Sequence, residues 1–279
     1  MDALRAVVLG AAFAAAACGM LSGLDDLAVD GDGIVPGDAA ARVPDDASIG
    51  FEVDGGGGSP GGDAAGPGSG DAAPGSSPVP VADWPFDEGT GTTARDLSGR
   101  AHHATANGGR WTEDRTGASG KAFVLAGGTD HLTAAAHPDF DRPRGAKLTM
   151  TLWARVDAAP SHTYLLDVGF GSEGYGIELK SRTVLTYWDG VNHALETTIP
   201  DVVGGWHHYG VVVDGAEARV YLDGARVNAG PADSTPRVAT EIVFGLDAVE
   251  PVYLRGALDR VRFYRAALTD AEILAEKDR

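Results

Sequence analysis

The sequence predicts an all-β protein: an antiparallel two-sheet jelly-roll sandwich with a short C-terminal helix, preceded by a disordered linker. Three observations predict it. Beyond Asp83 the apolar residues recur in short runs with a period of two, the pattern of strands that bury one face. Asp-Gly pairs at Asp214-Gly215 and Asp223-Gly224 interrupt those runs where tight antiparallel turns need positive φ. The single cysteine, Cys18, excludes an intramolecular disulfide, so the fold must rest on its core.

Residues 1–18 read as an address. Arg5 precedes an apolar stretch from Ala6 to Ala17, which is too short for a permanent membrane span and suits a signal-peptide core. Ala15-Ala16-Ala17-Cys18-Gly19 resembles a bacterial lipobox. That resemblance implies diacylglyceryl attachment to the Cys18 thiol, cleavage before it, and residence in the cell envelope. Gly19, standing where an Asp retains some lipoproteins at the inner membrane, implies the outer membrane; without lipid on Cys18 the protein would be secreted. A single acyl chain anchors only marginally, so stable attachment needs more than one.

Residues 19–82 form the expected linker. They are rich in Gly, Ala, Asp, Pro and Ser, as in Asp54-Gly-Gly-Gly-Gly-Ser-Pro-Gly-Gly-Asp63, and carry a net charge of −10 out of the chain's −18. Such a segment buries too little apolar surface to offset its entropy. As a flexible coil of about 60 residues it would span roughly 40–45 Å.

Residues 83–279 form the expected globular domain, with a net charge of −8 that leaves no cationic surplus to neutralise phosphates. Nucleic acid is therefore excluded as the main partner. In Lys147–Ala154, the residues Leu148, Met150, Leu152 and Ala154 share one parity. Further strands are read at 121–125, 163–168, 175–180, 183–188, 206–213, 217–222, 241–244 and 258–264. Thr269-Asp-Ala-Glu272 has capping-box spacing and starts the one helix.

Six segments, in order, carry a resemblance to a known family. They are Trp84–Gly99, His102-His103-Ala104-Thr105, Gly120–Asp130, Leu148–Ala154, the hairpin Trp206–Gly215 with Val220–Gly224, and Gly256–Leu268. Together they resemble the laminin-G-like domains of the concanavalin-A-like jelly rolls, in bacterial form. The resemblance implies a calcium ion joining the first loop to the last strand, with Asp96 and Asp259 as ligands and Asp130 and Asp87 in reserve. It also implies a binding module, contacting carbohydrate or a cell-surface protein through loops at one rim. Departures fall at Ala104, where the family has Gly, and at Arg260, where it has an acid.

Candidate chemistry is sparse. No Gly-x-Ser-x-Gly elbow occurs in residues 83–279, and the laminarinase-type run Glu-x-Asp-x-x-Glu is missing; Glu178 and Glu196 stand singly. The expectation is a non-catalytic protein, with a glycoside hydrolase of unrecognised carboxylates, or a purely structural or adhesive role, as the alternatives. Adjacent strand residues face opposite ways, so His102-His103 and His207-His208 cannot each chelate as a pair. Trp84, Trp153 and Trp206 sit in core motifs. Trp188, with Tyr187, lies at a strand end where a ring can stack on a sugar.

Overall fold

The computed structural model describes residues 77–158, 162–169, 174–190, 194–247, 249 and 251–279. Cys18 and the linker up to residue 76 lie outside the described residues. Just before Asp83, Val81 and Ala82 are already buried, and the Val81 N–H donates to the Phe263 carbonyl.

The chain opens with β1 (Ala82–Trp84), β2 (Thr93–Ala94), β3 (Ala104–Asn107), β4 (Arg110–Thr112), β5 (Ala122–Ala126) and β6 (His131–Ala135). A 3-10 turn at Pro138–Phe140 precedes β7 (Lys147–Val156). A meander follows: β8 (Thr163–Val168), β9 (Tyr175–Ser181), β10 (Val184–Trp188) and β11 (Ala194–Thr198). Next come β12 (Trp206–Asp214), β13 (Glu217–Leu222), β14 (Ala225–Pro231) and β15 (Glu241–Phe244). The small hairpin β16 (Leu246–Asp247) and β17 (Val252–Tyr253) leads to β18 (Arg255–Tyr264) and the helix α1 (Asp270–Asp278).

These strands pair into two antiparallel sheets, as the alternation predicts. One runs β14-β13-β12-β7-β18-β5-β4, with β1 also on β18; the other runs β11-β10-β9-β8-β15-β6-β3-β2. The expected inner face of β7 is observed: Leu148, Met150, Leu152 and Ala154 are buried in the core between the sheets. At Asp223-Gly224 both residues have positive φ, 52° and 80°, which suits a two-residue hairpin turn.

The outer face of the first sheet is covered as well. Val212, Tyr221, Tyr264, Leu268 and Ile273 form a separate apolar cluster where α1 packs on it. The predicted capping box is present, with Thr269 at the N-cap and Glu272 reaching back to its N–H. Arg262 on β18 bonds Asp83 of β1 at 3.0 Å and Glu276 of α1 at 2.7 Å, tying the beginning of the fold to its end.

Candidate functional site

Side chains directly opposite in a sheet share a face, so the pairing register shows what the second sheet presents outward. One row reads Glu196, Thr186, Glu178, Tyr164, and the next reads Trp188, Gly176, Asp167, Val243, Thr133. In a regular strand Tyr164 and Asp167 would face opposite ways. A β-bulge between Tyr164 and Leu166 re-phases β8, sending Leu165 and Leu166 into the core and both polar residues outward.

Acidic groups converge on this face. His162, just before β8, places Nδ1 2.6 Å from Glu178 Oε1 and Nε2 2.9 Å from Asp247 Oδ2. These are ion-pair contacts, and among the described residues neither Glu178 oxygen has a hydrogen-bond partner. The hairpin β16–β17 shields the cluster, since Thr163 Oγ1 donates to the Val252 carbonyl at the start of β8. Glu178 and Asp167 are 1% and 3% exposed.

Burial pushes Asp167 up to about 8, with the charges of Asp247, Glu241 and Glu178 adding to the effect, while its own neighbour's N–H acts against it. Glu178 is raised by burial too, partly offset by His162 and Lys180. Among the described residues, Asp167 Oδ1 has no hydrogen-bond partner. Tyr164 is raised by burial and by Glu178. Trp188, half-buried, meets the Tyr164 ring edge-on at 5.9 Å. The arrangement combines an aromatic edge with buried carboxyl groups whose pKa values burial pushes up, that of Asp167 to about 8.

Against the sequence reading, Trp188 is on this face, whereas Tyr187 is a core side chain, 1% exposed, because it has the opposite parity. Glu178 and Glu196 share a row, and Glu196 pairs with Lys180. His162, Tyr164, Asp167 and Asp247 escape sequence reasoning, although a Tyr and an Asp inside the apolar run Thr163–Val168 are the available signal.

Among the described residues, the expected calcium ligands do not form a cluster of three or more converging ligand atoms. Asp96 accepts from the N–H groups of Asp83 (2.9 Å), Ser98 (2.8 Å) and His102 (2.9 Å) and from the Ser98 hydroxyl (2.7 Å). Burial raises its pKa, but these bonds outweigh it and hold it below the ordinary value. Asp259 instead pairs with Arg115 at 2.7 Å, and Asp130 accepts from the Ala126 N–H at 2.9 Å. Asp87 sits 3.6 Å from Lys121. Asp96 has both oxygens taken by N–H and O–H donors, and Asp259 has one taken by Arg115, whereas Ca²⁺ needs several oxygens free to converge on it. The first loop is organised by Asp96 itself, and the last strand by ion pairs.

Residues 126–274 match the family model described as the concanavalin A-like lectin/glucanases superfamily. The chain belongs to that superfamily. No curated protein matches the sequence. Among solved structures, this concanavalin A-like domain is similar to the binding domain of Paraclostridial Mosquitocidal Protein 1, at 16% identity and a TM-score of 0.59, covering 71% of this chain and 52% of that one. It thus spans about half the length of that neighbour. Domain 4 of AbnA, a GH43 extracellular arabinanase from Geobacillus stearothermophilus solved with arabinotriose, is 18% identical with a TM-score of 0.57, covering 72% and 98%. The binding domain of Botulinum neurotoxin DC, in complex with rat synaptotagmin II, is 11% identical with a TM-score of 0.57, covering 72% and 51%. At these identities the likeness establishes the concanavalin A-like fold alone.

Proposed function

We propose that this chain is a lipid-anchored cell-envelope binding module that recognises carbohydrate on the outer face of its second sheet and catalyses no reaction. The observation that carries this reading is Trp188, half-buried beside Tyr164 and in the row next to Glu178, with Asp167 two strands along. A half-buried ring of this kind stacks on the apolar face of a sugar, while the buried acids behind it hold the neighbouring strands and the Tyr164 ring in place. The arabinanase domain solved with arabinotriose supports carbohydrate as the ligand class, and the neurotoxin domain solved with synaptotagmin keeps a surface protein as the other. The site moves from the rim loops of the sequence reading to the sheet face.

Retention of the full chain on a polysaccharide panel tests this. Trp188→Ala is expected to weaken binding by about 2 kcal/mol, roughly thirtyfold, with an unchanged melting curve. Undiminished retention in that variant removes the proposal. Anchoring follows from the lipobox resemblance: the lipid joins Cys18, the acidic linker holds the domain away from the outer membrane, and Cys18→Ser is expected to shift the protein from the membrane to the soluble fraction. A variant that stays with the membrane argues against the anchor.

The convergence of Glu178, Asp167 and Asp247 favours one second reading, glycoside hydrolysis. Burial pushes Asp167 up to about 8, the direction a general acid needs, and Glu178 lies on the adjacent strand. Release of reducing ends from the same panel, abolished by Glu178→Gln, would establish it in place of the binding role.

A further inference from the structure

Away from the second sheet's outer face, the structure gathers three side chains that the proposed function does not use. His102 lies two residues before β3, and His137 lies two residues after β6; these strands pair through Ala104 and Ala134, so both histidines emerge at one end of the sheet. Asp139 follows in the 3-10 turn, where Pro138 stiffens the backbone between it and His137. The ligating atoms of His102, His137 and Asp139 all lie within 4.8 Å of one another, a grouping that stands by itself among the described residues.

Two of the three separations are close to those of zinc ligands; the two histidine nitrogens lie within 4.8 Å, and half-exposed His137 must turn inward for both to reach one ion. His102 Nε2 is 2.9 Å, and His137 Nδ1 3.3 Å, from the same Asp139 oxygen, Oδ2. Ligands at zinc's bond lengths of about 2.0–2.2 Å in a tetrahedron stand roughly 3.3–3.5 Å apart. His137 Nδ1 accepts the Asp139 backbone N–H at 3.1 Å, so it carries a lone pair rather than a proton. That lone pair is the one a metal takes, in exchange for the Asp139 N–H, and it stands 3.3 Å from the carboxylate oxygen Oδ2.

The surroundings hold this geometry in place. The His102 N–H donates to Asp96, its carbonyl accepts from Trp84 Nε1 at 2.6 Å, and its ring packs edge-on against Phe140 at 4.8 Å. Arg100 Nη1 bonds both Asp139 oxygens at 3.0 Å; being half exposed, it can keep Oδ1 while Oδ2 turns to a metal. Two imidazoles and one carboxylate favour zinc over calcium or magnesium, and three protein ligands leave a position open. Half-exposed His137 puts that position within reach of solvent or of a partner's carboxylate.

We infer that His102, His137 and Asp139 form a Zn²⁺ site at this end of the second sheet. Equilibrium dialysis of the full, untagged chain against micromolar zinc, followed by metal analysis, tests it; a Cys18→Ser background removes the thiol as a competing ligand. About one zinc per chain is expected. His137→Ala and Asp139→Asn should each weaken retention by about tenfold or more, by analogy with the sensitivity of metal sites to their supporting groups. His137→Gln serves as a second variant if His137→Ala does not fold, and melting curves without metal report folding. Cobalt in place of zinc should give a visible spectrum of tetrahedral type that both variants lose. Failure to retain zinc, or equal retention by folded forms of both variants, overturns the site.

Discussion

Replacing Trp84 with alanine is expected to cost about 3–5 kcal/mol of stability, the range for truncating a fully buried aromatic. The indole is in the first sheet, on β1, yet it meets Phe244 of the second sheet edge-on at 5.1 Å and stacks with Phe140 at 6.2 Å. Its Nε1 also donates to the buried His102 carbonyl at 2.6 Å. Truncation opens a cavity between the layers and orphans that carbonyl, a further penalty of about 1–3 kcal/mol. For a domain of this size each kcal/mol moves the melting point by about 2–4 °C, so a fall of roughly 10 °C or more is expected. Trp84→Phe keeps most of the packing and loses the hydrogen bond, and should fall between. A loss below about 1 kcal/mol for the alanine variant would show that Trp84 does not join the two layers.

The second large effect is a stability that declines with alkalinity. An unfolded aspartate titrates near its ordinary 3.8, whereas folded Asp167 holds its proton to about 8. The folded chain therefore binds more protons across this interval. The contribution is fully present below about pH 4 and is lost as pH rises through 8. Two other buried groups complicate the acidic half: Asp259, pushed up to about 6 by burial despite Arg115, and His208, pushed down to about 3 by burial despite Asp223. His208 contributes stability that is present above about 6.5 and is lost on acidification towards 3. Both are nearly constant above pH 6.5. From there to pH 9 the wild-type protein should lose about 2 kcal/mol through Asp167. Denaturant unfolding of Asp167→Asn should show a markedly flatter dependence. An unaltered slope would mean that Asp167 is already ionised at neutral pH.

The same residues show what was legible in the sequence and what was not. Strands β7, β12 and β13 read clearly because period-two alternation and Asp-Gly turns are local signals. Strand β14 is an edge whose residues are largely exposed, so its composition carries little pattern. The site was partly hidden for a different reason. A bulge in β8 breaks parity, so counting from Leu166 places Tyr164 on the wrong face. His162 and Asp247 meet only because β16–β17 folds back on β8, which no short-range pattern encodes. The calcium ligands implied by resemblance likewise depend on which atoms face Asp96, and those are backbone N–H groups that side-chain identity does not reveal.

The junction at Arg262 has a mechanical consequence. Chain tension arriving from the N-terminal side enters at β1, whose three residue pairs with β18 lie beside the strand's Asp83–Arg262–Glu276 link. A pull there is shared with the interior strand β18 and the terminal helix instead of peeling a free edge. The domain is thus gripped near its middle, and traction that would unravel a border strand must first break a buried ion pair.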